Sequence, residues 1–320
     1  MFKAPAKYVW LDGEIVPWEK ATVHVFTHAL HYGSGVFEGI RAYKAEGEVF
    51  VFRLREHIKR MMESAKLYSF DLQYSAEEIC DAVIELIQKN DFHSSLYIRP
   101  IAFKGVGGIS LDPGTTPTQV SIIAIPFEKY FKSGKLGLDV NVSTWRRIGE
   151  PAVPGMAKAC GHYINSVLAR TESAEAGYDE AIFLNNDGDV CEGTGENIFI
   201  VKDEEIATPG LASGILNGIT RQTVVSLIRD WEMPYAEREI SRGELYTCDE
   251  AFFTGTAVEV APILSVDHKR VGNGKPGPVT SKVMEAYEEI VTGRNGKYSS
   301  YLTPVYGSHQ FVRATSETNR

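Results

Sequence analysis

The chain has 320 residues, 43% of them hydrophobic and 23% charged, with 33 Lys+Arg against 42 Asp+Glu for a net charge of −9. This composition excludes a disordered or collagen-like chain and is large enough for a buried core in one or two domains. The acidic balance disfavours nucleic acid or an anionic membrane as partner, while leaving room for a local basic pocket.

The N-terminus lacks the apolar run of a signal peptide, and no stretch approaches the roughly 20 apolar residues of a membrane helix. Cys80, Cys160, Cys191 and Cys248 are scattered, with no CxxC pair. A soluble, cytoplasmic protein without disulfides or a structural zinc is expected.

In chain order, Tyr8–Leu11 and Glu14–Pro17 flank Asp12-Gly13, a hairpin signal. Val36–Tyr43 and Val49–Arg53 form a second expected hairpin around Glu46-Gly47. Helices are predicted over Arg55–Tyr68 and Ser75–Asn90; Ser75 and Glu78 match a capping box, and Ile79, Val83, Leu86 and Ile87 repeat at helical spacing. Ser95–Phe103 reads as a strand with Tyr97 and Arg99 on one face, followed by a strand at Thr118–Pro126.

A domain boundary is placed near 128–135, giving a small domain (1–132), a larger one (133–305) and a tail from 306 to 320 that is weakly patterned and is set aside as disordered or extraneous. The second half contributes strands at Leu138–Val142, Ala181–Leu184, Val190–Glu192, Asn197–Val201 and Ala251–Gly255. Its helices are His162–Ala176, closed by Gly177, then Thr220–Trp231 and Ser281–Thr292. The mixture is an α/β (mixed α+β) fold.

Five segments can carry chemistry. Lys158 sits among small and apolar residues in Pro154-Gly155-Met156-Ala157-Lys158-Ala159-Cys160-Gly161. A desolvated lysine loses its proton more readily and becomes a Schiff-base nucleophile, although a lone loop lysine is ordinarily a surface residue. Glu192, in Cys191-Glu192-Gly193-Thr194-Gly195-Glu196-Asn197, can pair with a pyridinium nitrogen; a glycine-rich turn with solvated acids is the plainer reading. Asn217-Gly218-Ile219-Thr220-Arg221 and Thr254-Gly255-Thr256-Ala257 offer amides to an anion, the former at a helix start, and Arg60 could neutralise it. Arg99, beside Tyr97 in mid-strand, needs a carboxylate partner if buried, from a substrate or from the chain itself. His24, His28 and His31 follow no metal-ligand spacing and read as structural.

Taken in order, these segments resemble one family. His28-Ala29-Leu30-His31-Tyr32-Gly33-Ser34-Gly35-Val36-Phe37-Glu38-Gly39-Ile40-Arg41 looks like the N-terminal signature of branched-chain amino acid aminotransferases, and Phe52–Arg60, Ala157–Ala159, Glu192–Asn197, Gly218–Arg221 and Thr254–Ala257 continue the pattern over about Tyr8 to Val305. The resemblance implies a fold-type IV pyridoxal-phosphate enzyme, with two α/β domains enclosing the cofactor and a homodimer as the minimum active unit. It implies that Lys158 is the Schiff-base lysine, that Tyr163 binds the phenolic oxygen, and that Glu192, backed by Arg147, binds the pyridine nitrogen. Arg60, Ile219, Thr220 and Thr256 would hold the phosphate, with Gly218 and Gly255 also among the cofactor-binding residues. Tyr32, Phe37, Gly39, Leu111 and Tyr130 would shape the substrate pocket, Leu111 reaching across the dimer. Tyr97 and Arg99 would bind the distal carboxylate of glutamate, and Gly255, Thr256 and Ala257 would meet the α-carboxylate. The implied reaction moves the amino group of Leu, Ile or Val to 2-oxoglutarate, with side activity on R-amines left open. D-amino acid aminotransferases, R-amine transaminases and aminodeoxychorismate lyases share the lysine and glutamate and are the alternatives.

Overall fold

The computed structural model describes residues 4–45, 47–114, 116–128, 135–150 and 152–307. The domain boundary at 132/133 and residues 308–320 of the tail lie outside the described residues.

The strands are β1 (Tyr8–Leu11), β2 (Glu14–Pro17), β3 (Gly35–Phe37), β4 (Ile40–Ala45), β5 (Glu48–Phe52), β6 (Leu96–Lys104), β7 (Thr118–Pro126), β8 (Leu138–Arg146), β9 (Glu180–Leu184), β10 (Val190–Gly193), β11 (Asn197–Lys202), β12 (Glu205–Thr208), β13 (Tyr235–Glu237), β14 (Glu250–Gly255), β15 (Glu259–Val266), β16 (Lys269–Arg270) and β17 (Leu302–Pro304). The α-helices are α1 (His28–Tyr32), α2 (Leu54–Leu67), α3 (Ala76–Asn90), α4 (Tyr163–Glu175), α5 (Ile219–Asp230), α6 (Arg242–Leu245) and α7 (Pro278–Val291). Among the described residues, no helix is long and apolar enough to cross a membrane.

The strands form two sheets. The first runs β17-β5-β4-β6-β7-β1-β2 with β3 also on β6, and the second runs β10-β9-β8-β15-β14-β11-β12-β13 with β16 on β15. The first hairpin closes at Asp12 (φ 46°) and Gly13 (φ 91°), and pairs Leu11 with Glu14. Positive φ at both turn residues matches the right-handed twist of the flanking strands.

α3 starts where the capping box does: Ser75 accepts from the Glu78 amide while Glu78 reaches back to Ser75. Ile79, Val83, Leu86 and Ile87 are fully buried against the first sheet, in one cluster with Ile58 and Met61 of α2. In the second half, Val224, Leu227 and Ile228 of α5 pack with Val283, Tyr287 and Ile290 of α7 and with Tyr43 and Phe52 of the first sheet. That shared cluster ties the two sheets together.

Three differences from the sequence reading have physical causes. The strand expected over Val36–Tyr43 is broken at Glu38-Gly39, and both pieces pair with β6. A Cβ at Gly39 would stand 2.3 Å from the Tyr97 hydroxyl, so only glycine lets Tyr97 keep that place. Strand β15 carries Pro262, which argues against a central strand because proline cannot donate to a ladder. It is nonetheless held between β14 and β8, and its pairing with β8 slips between Ile263 and Ser265. Lastly, β17 returns to pair with β5 of the first sheet although it lies near the end of the described chain, and Tyr306 of the expected tail donates its hydroxyl to the Phe92 carbonyl at 2.7 Å.

Candidate active site

A cavity of about 510 Å³ opens between the sheets. It gathers Lys158, Tyr163, Glu192, Arg60, Gly218, Ile219, Thr220, Gly255, Thr256, Ala257, Phe37, Gly39, Tyr97, Arg99 and Arg147, drawn from segments as far apart in the chain as Phe37 and Ala257.

Lys158 stands in the stretch between β8 and α4, yet its backbone is fastened to the first half of the chain. Its amide donates to Ser64 Oγ of α2 at 3.1 Å, and its carbonyl accepts from the Phe37 amide at 3.0 Å. Ala157 and Ala159 on either side are buried, at 2% and 3% exposure, so the backbone can come this close. Nζ donates to the Tyr163 hydroxyl at 2.7 Å and lies 5.1 Å from the centre of the Phe37 ring. The amine is thus aimed by one hydrogen bond in a half-buried setting.

Glu192 lies near the end of β10 and is buried. Its Oε1 accepts from Arg147 Nε at 2.6 Å, and its Oε2 accepts from the Leu216 amide at 3.0 Å and Asn197 Nδ2 at 3.2 Å. Burial alone would lower the Arg147 pKa, but the Glu192 charge overcomes it and raises that pKa. Arg147 therefore stays charged, and it and the Leu216 and Asn197 donors fix the Glu192 carboxyl group at the cavity wall.

At the other end lies an anion cradle. Helix α5 begins after Gly218 without a side-chain cap, so its first amides are open. A Cβ on Gly218 would stand 2.0 Å from Asn197 Oδ1, which excludes any larger residue beside the side chain that also steadies Glu192. Arg60 approaches from α2, its Nη1 donating to the Asn217 carbonyl at 2.9 Å. The Thr254 hydroxyl is buried and has no hydrogen-bond partner among the described residues.

These donors fit the cofactor that the sequence resemblance implies. An orphaned hydroxyl and an uncapped helix start suit a phosphate, Glu192 suits a pyridinium N–H, and Lys158 lies in the same cavity.

Some residues named from the sequence are not brought into this cavity. Tyr32 and Leu111 are 43% and 80% exposed and line none of it, though the Tyr32 hydroxyl does donate to the carbonyl of Ile109, near Leu111. Tyr130 lies outside the described residues. The histidines are engaged structurally: His28 bonds Ser34 Oγ and the Ser110 carbonyl, and His31 bonds the Val25 carbonyl.

Sequence reasoning assigned no role to Glu38, His57 or Glu196. Glu38 is fully buried; Arg60 clasps both its oxygens, at 2.6 and 2.8 Å, and His57 Nδ1 lies 2.7 Å from Oε2. Burial would raise the Glu38 pKa, but Arg60 and then His57 overcome it and hold that pKa far below the carboxylate range. Burial pushes the His57 pKa below its usual value despite Glu38, while its Nδ1 donates to the carboxylate.

Glu196 lines the cavity and is buried, with the Gly195 amide on its Oε2 at 3.0 Å. Burial first, then repulsion from Glu180, pushes its pKa up to about 8. A folded-state pKa above the unfolded value near 4.5 costs stability as pH rises between the two. Glu196→Gln is therefore expected to flatten the decline in stability between pH 4.5 and 8. Urea unfolding at several pH values checks this, and parallel wild-type and variant curves would refute it.

Residues 35–266 match the family model described as amino-transferase class IV. A branched-chain-amino-acid aminotransferase of Salmonella typhimurium is 43% identical over 304 residues, covering 94% of this chain and 98% of that protein. The branched-chain aminotransferase of Thermoproteus uzoniensis, solved with norvaline, superposes with a TM-score of 0.91 at 48% identity over 94% of this chain and 100% of that one. The branched-chain amino acid aminotransferase of Thermobaculum terrenum, solved in its PLP-form, gives a TM-score of 0.90 at 39% identity over 95% of this chain and 99% of that one. The fold is thus that of class IV, fold-type IV aminotransferases. Within that class the chain belongs to the branched-chain-amino-acid aminotransferase family.

Proposed function

We propose that this enzyme, with pyridoxal 5′-phosphate as cofactor, moves the amino group of L-leucine, L-isoleucine or L-valine to 2-oxoglutarate. The observation that carries the reading is Lys158 Nζ, held 2.7 Å from Tyr163 in a cavity with Arg147-backed Glu192 and an open helix start.

When bound, the cofactor supplies an electron sink that acidifies the Cα–H of the amino acid joined to it. Lys158 would serve as the catalytic base, its free amine taking the proton from Cα. Glu192 would hold the proton of the pyridine nitrogen, with Arg147 Nε donating to its Oε1 at 2.6 Å. Tyr163 orients Nζ and binds the phenolic oxygen. Arg60, the amides of Ile219 and Thr220 behind Gly218, and Gly255 with Thr256 hold the phosphate. The turn at Gly255, Thr256 and Ala257 would meet the α-carboxylate, while Phe37 and Gly39 line the side-chain end of the pocket. Tyr97 and Arg99, linked at 2.6 Å, receive the distal carboxylate of the dicarboxylate partner.

Two domains, 1–132 and 133–305, enclose the cofactor in this reading. A homodimer completes the pocket, with Tyr32 and Leu111 serving the partner's site. Val25, Leu30, Ile109 and Leu111 are 62–80% exposed, an apolar face that water disfavours and a second copy would cover. Free, unpaired Cys80, Cys160, Cys191 and Cys248 suit the reducing cytoplasm.

Half-reactions followed by cofactor absorbance with L-leucine, D-alanine and R-phenylethylamine test the substrate class. L-leucine is expected to react at least about tenfold faster than either of the others, a gap of about 1.4 kcal/mol. A dominant D-alanine rate would overturn the assignment.

A further inference from the structure

Behind the substrate wall lies a cation to which the proposed chemistry gives no role. Arg41 of β4 is 2% exposed, among the largest fully buried side chains. Its Nη2 donates to the Glu128 carbonyl at 2.7 Å and the Phe127 carbonyl at 3.4 Å, and lies 3.6 Å from Glu259 Oε1. The guanidinium sits between two rings, 4.8 Å from the centre of Phe127 and 4.9 Å from that of Tyr43. Nε and Nη1 are buried without a hydrogen-bond partner among the described residues. An arginine so placed is costly, and a methionine or leucine would fill the same space more cheaply if packing were its only task. What an apolar residue could not supply is a link between two particular segments.

The first segment is the end of β7. The Phe127 ring lies 5.6 Å from Tyr97, whose hydroxyl accepts from Arg99 Nη2 at 2.6 Å. Arg99 in turn lies 4.6 Å from the Phe37 ring. Two cations and three rings thus form a connected series along this wall, with Arg41 at one end. The second segment is the turn from β14 to β15, which carries Thr256 and Ala257 and closes with Gly255 opposite Glu259. Glu259 holds φ at 60°, a left-handed conformation that glycine would adopt without strain. Its carboxylate, facing Arg41, gives a reason for a glutamate there.

We propose that Arg41 is a specificity-determining positioning residue: it sets the spacing between the Thr256–Ala257 turn and the Phe127–Tyr97–Arg99 wall. This rests on the functional reading above, in which the turn takes the α-carboxylate and Arg99 the distal one. A dicarboxylate substrate must satisfy both ends at once. A branched-chain substrate meets the turn at one end and only an apolar surface at the other, which tolerates small displacements. An error in spacing therefore falls on 2-oxoglutarate and glutamate more than on leucine.

Arg41→Lys keeps the charge but removes the Nη2 that meets both segments and the flat guanidinium beside the Phe127 and Tyr43 rings, and Glu259→Gln removes the charge at the other end. For each holoenzyme variant, KM for 2-oxoglutarate is expected to rise about tenfold, in the range that small misplacements produce. KM for L-leucine, kcat and the cofactor absorbance should stay within about threefold, because no group touching the cofactor has changed. In the double variant the 2-oxoglutarate KM should rise no further than in the worse single one. Unchanged KM values, equal rises for both substrates, or a loss of bound cofactor would each overturn the inference; should Arg41→Lys fail to fold, Glu259→Gln decides alone. Wild-type enzyme inactive on leucine and 2-oxoglutarate would instead overturn the functional reading.

Discussion

Lys158→Ala is expected to lower kcat/KM for L-leucine by at least about 10³-fold, roughly 4 kcal/mol of transition-state stabilisation, while leaving the fold intact. The two effects separate because the side chain and backbone of this residue do different work. The backbone joins the halves of the site, through the Ser64 hydroxyl and the Phe37 amide, and alanine keeps both bonds. The side chain contributes Nζ, bonded to Tyr163. Among the described residues, no other lysine or histidine lining the cavity is placed to replace it: His162 is there, but its Nε2 faces Tyr68 at 2.6 Å. Burial also lowers the His162 pKa, making it a weak base. Because Arg60 and the start of α5 lie at another end of the cavity, the variant should still bind the phosphate group. Single-turnover kinetics and cofactor fluorescence check the two halves of this expectation, and turnover within about tenfold of wild type would remove Lys158 from its role.

What could be read from the sequence divides along physical lines. Local signals held: the Asp12-Gly13 turn, the Ser75 and Glu78 cap, and the buried face of α3 each depend on near neighbours in the chain. Lys158, Glu192 and the two cradles could be named because each carries a chemistry-bearing residue among small ones, in an order that resembles one family. Glu38 was on the page within that motif, but nothing near it signals that Arg60, 22 residues on, closes over it. Asn197 likewise looks like an ordinary strand start until Leu216 and Gly218 arrive from beyond β12. Strand β15 carries Pro262, a residue that discourages a central strand, yet it pairs in register with β14 there, and its pairing with β8 shifts just after, between Ile263 and Ser265. Pairings of this kind are set by tertiary approach, to which periodicity is blind.

Glu38→Gln should be the most destabilising single change near the site, costing about 3–5 kcal/mol, the usual penalty for breaking a buried ion pair from one side. Arg60 would keep its charge at 11% side-chain exposure with an amide in place of the carboxylate it clasps. A glutamine offers one acceptor where Glu38 offers two, and its NH₂ would confront the Arg60 or His57 donors. The cost should depend on pH in a defined direction. Glu38 has a folded-state pKa depressed well below the ordinary value near 4.5, so its contribution is fully present above pH 4.5 and is lost as pH falls toward the folded value. The stability gap between wild type and Glu38→Gln is therefore widest at neutral pH and narrows in acid, the opposite trend to Glu196→Gln, whose benefit grows as pH rises. Function should follow stability here, because Arg60 is both the partner of Glu38 and a wall of the anion cradle. Released from Glu38, its guanidinium no longer has a fixed position beside Asn217 and the start of α5, and affinity for the cofactor's phosphate should fall even where the variant remains folded. Urea unfolding from about pH 3 to 8, paired with cofactor titration near neutral pH, measures both consequences; a pH-independent gap would mean that Glu38 is not ionised in the folded protein.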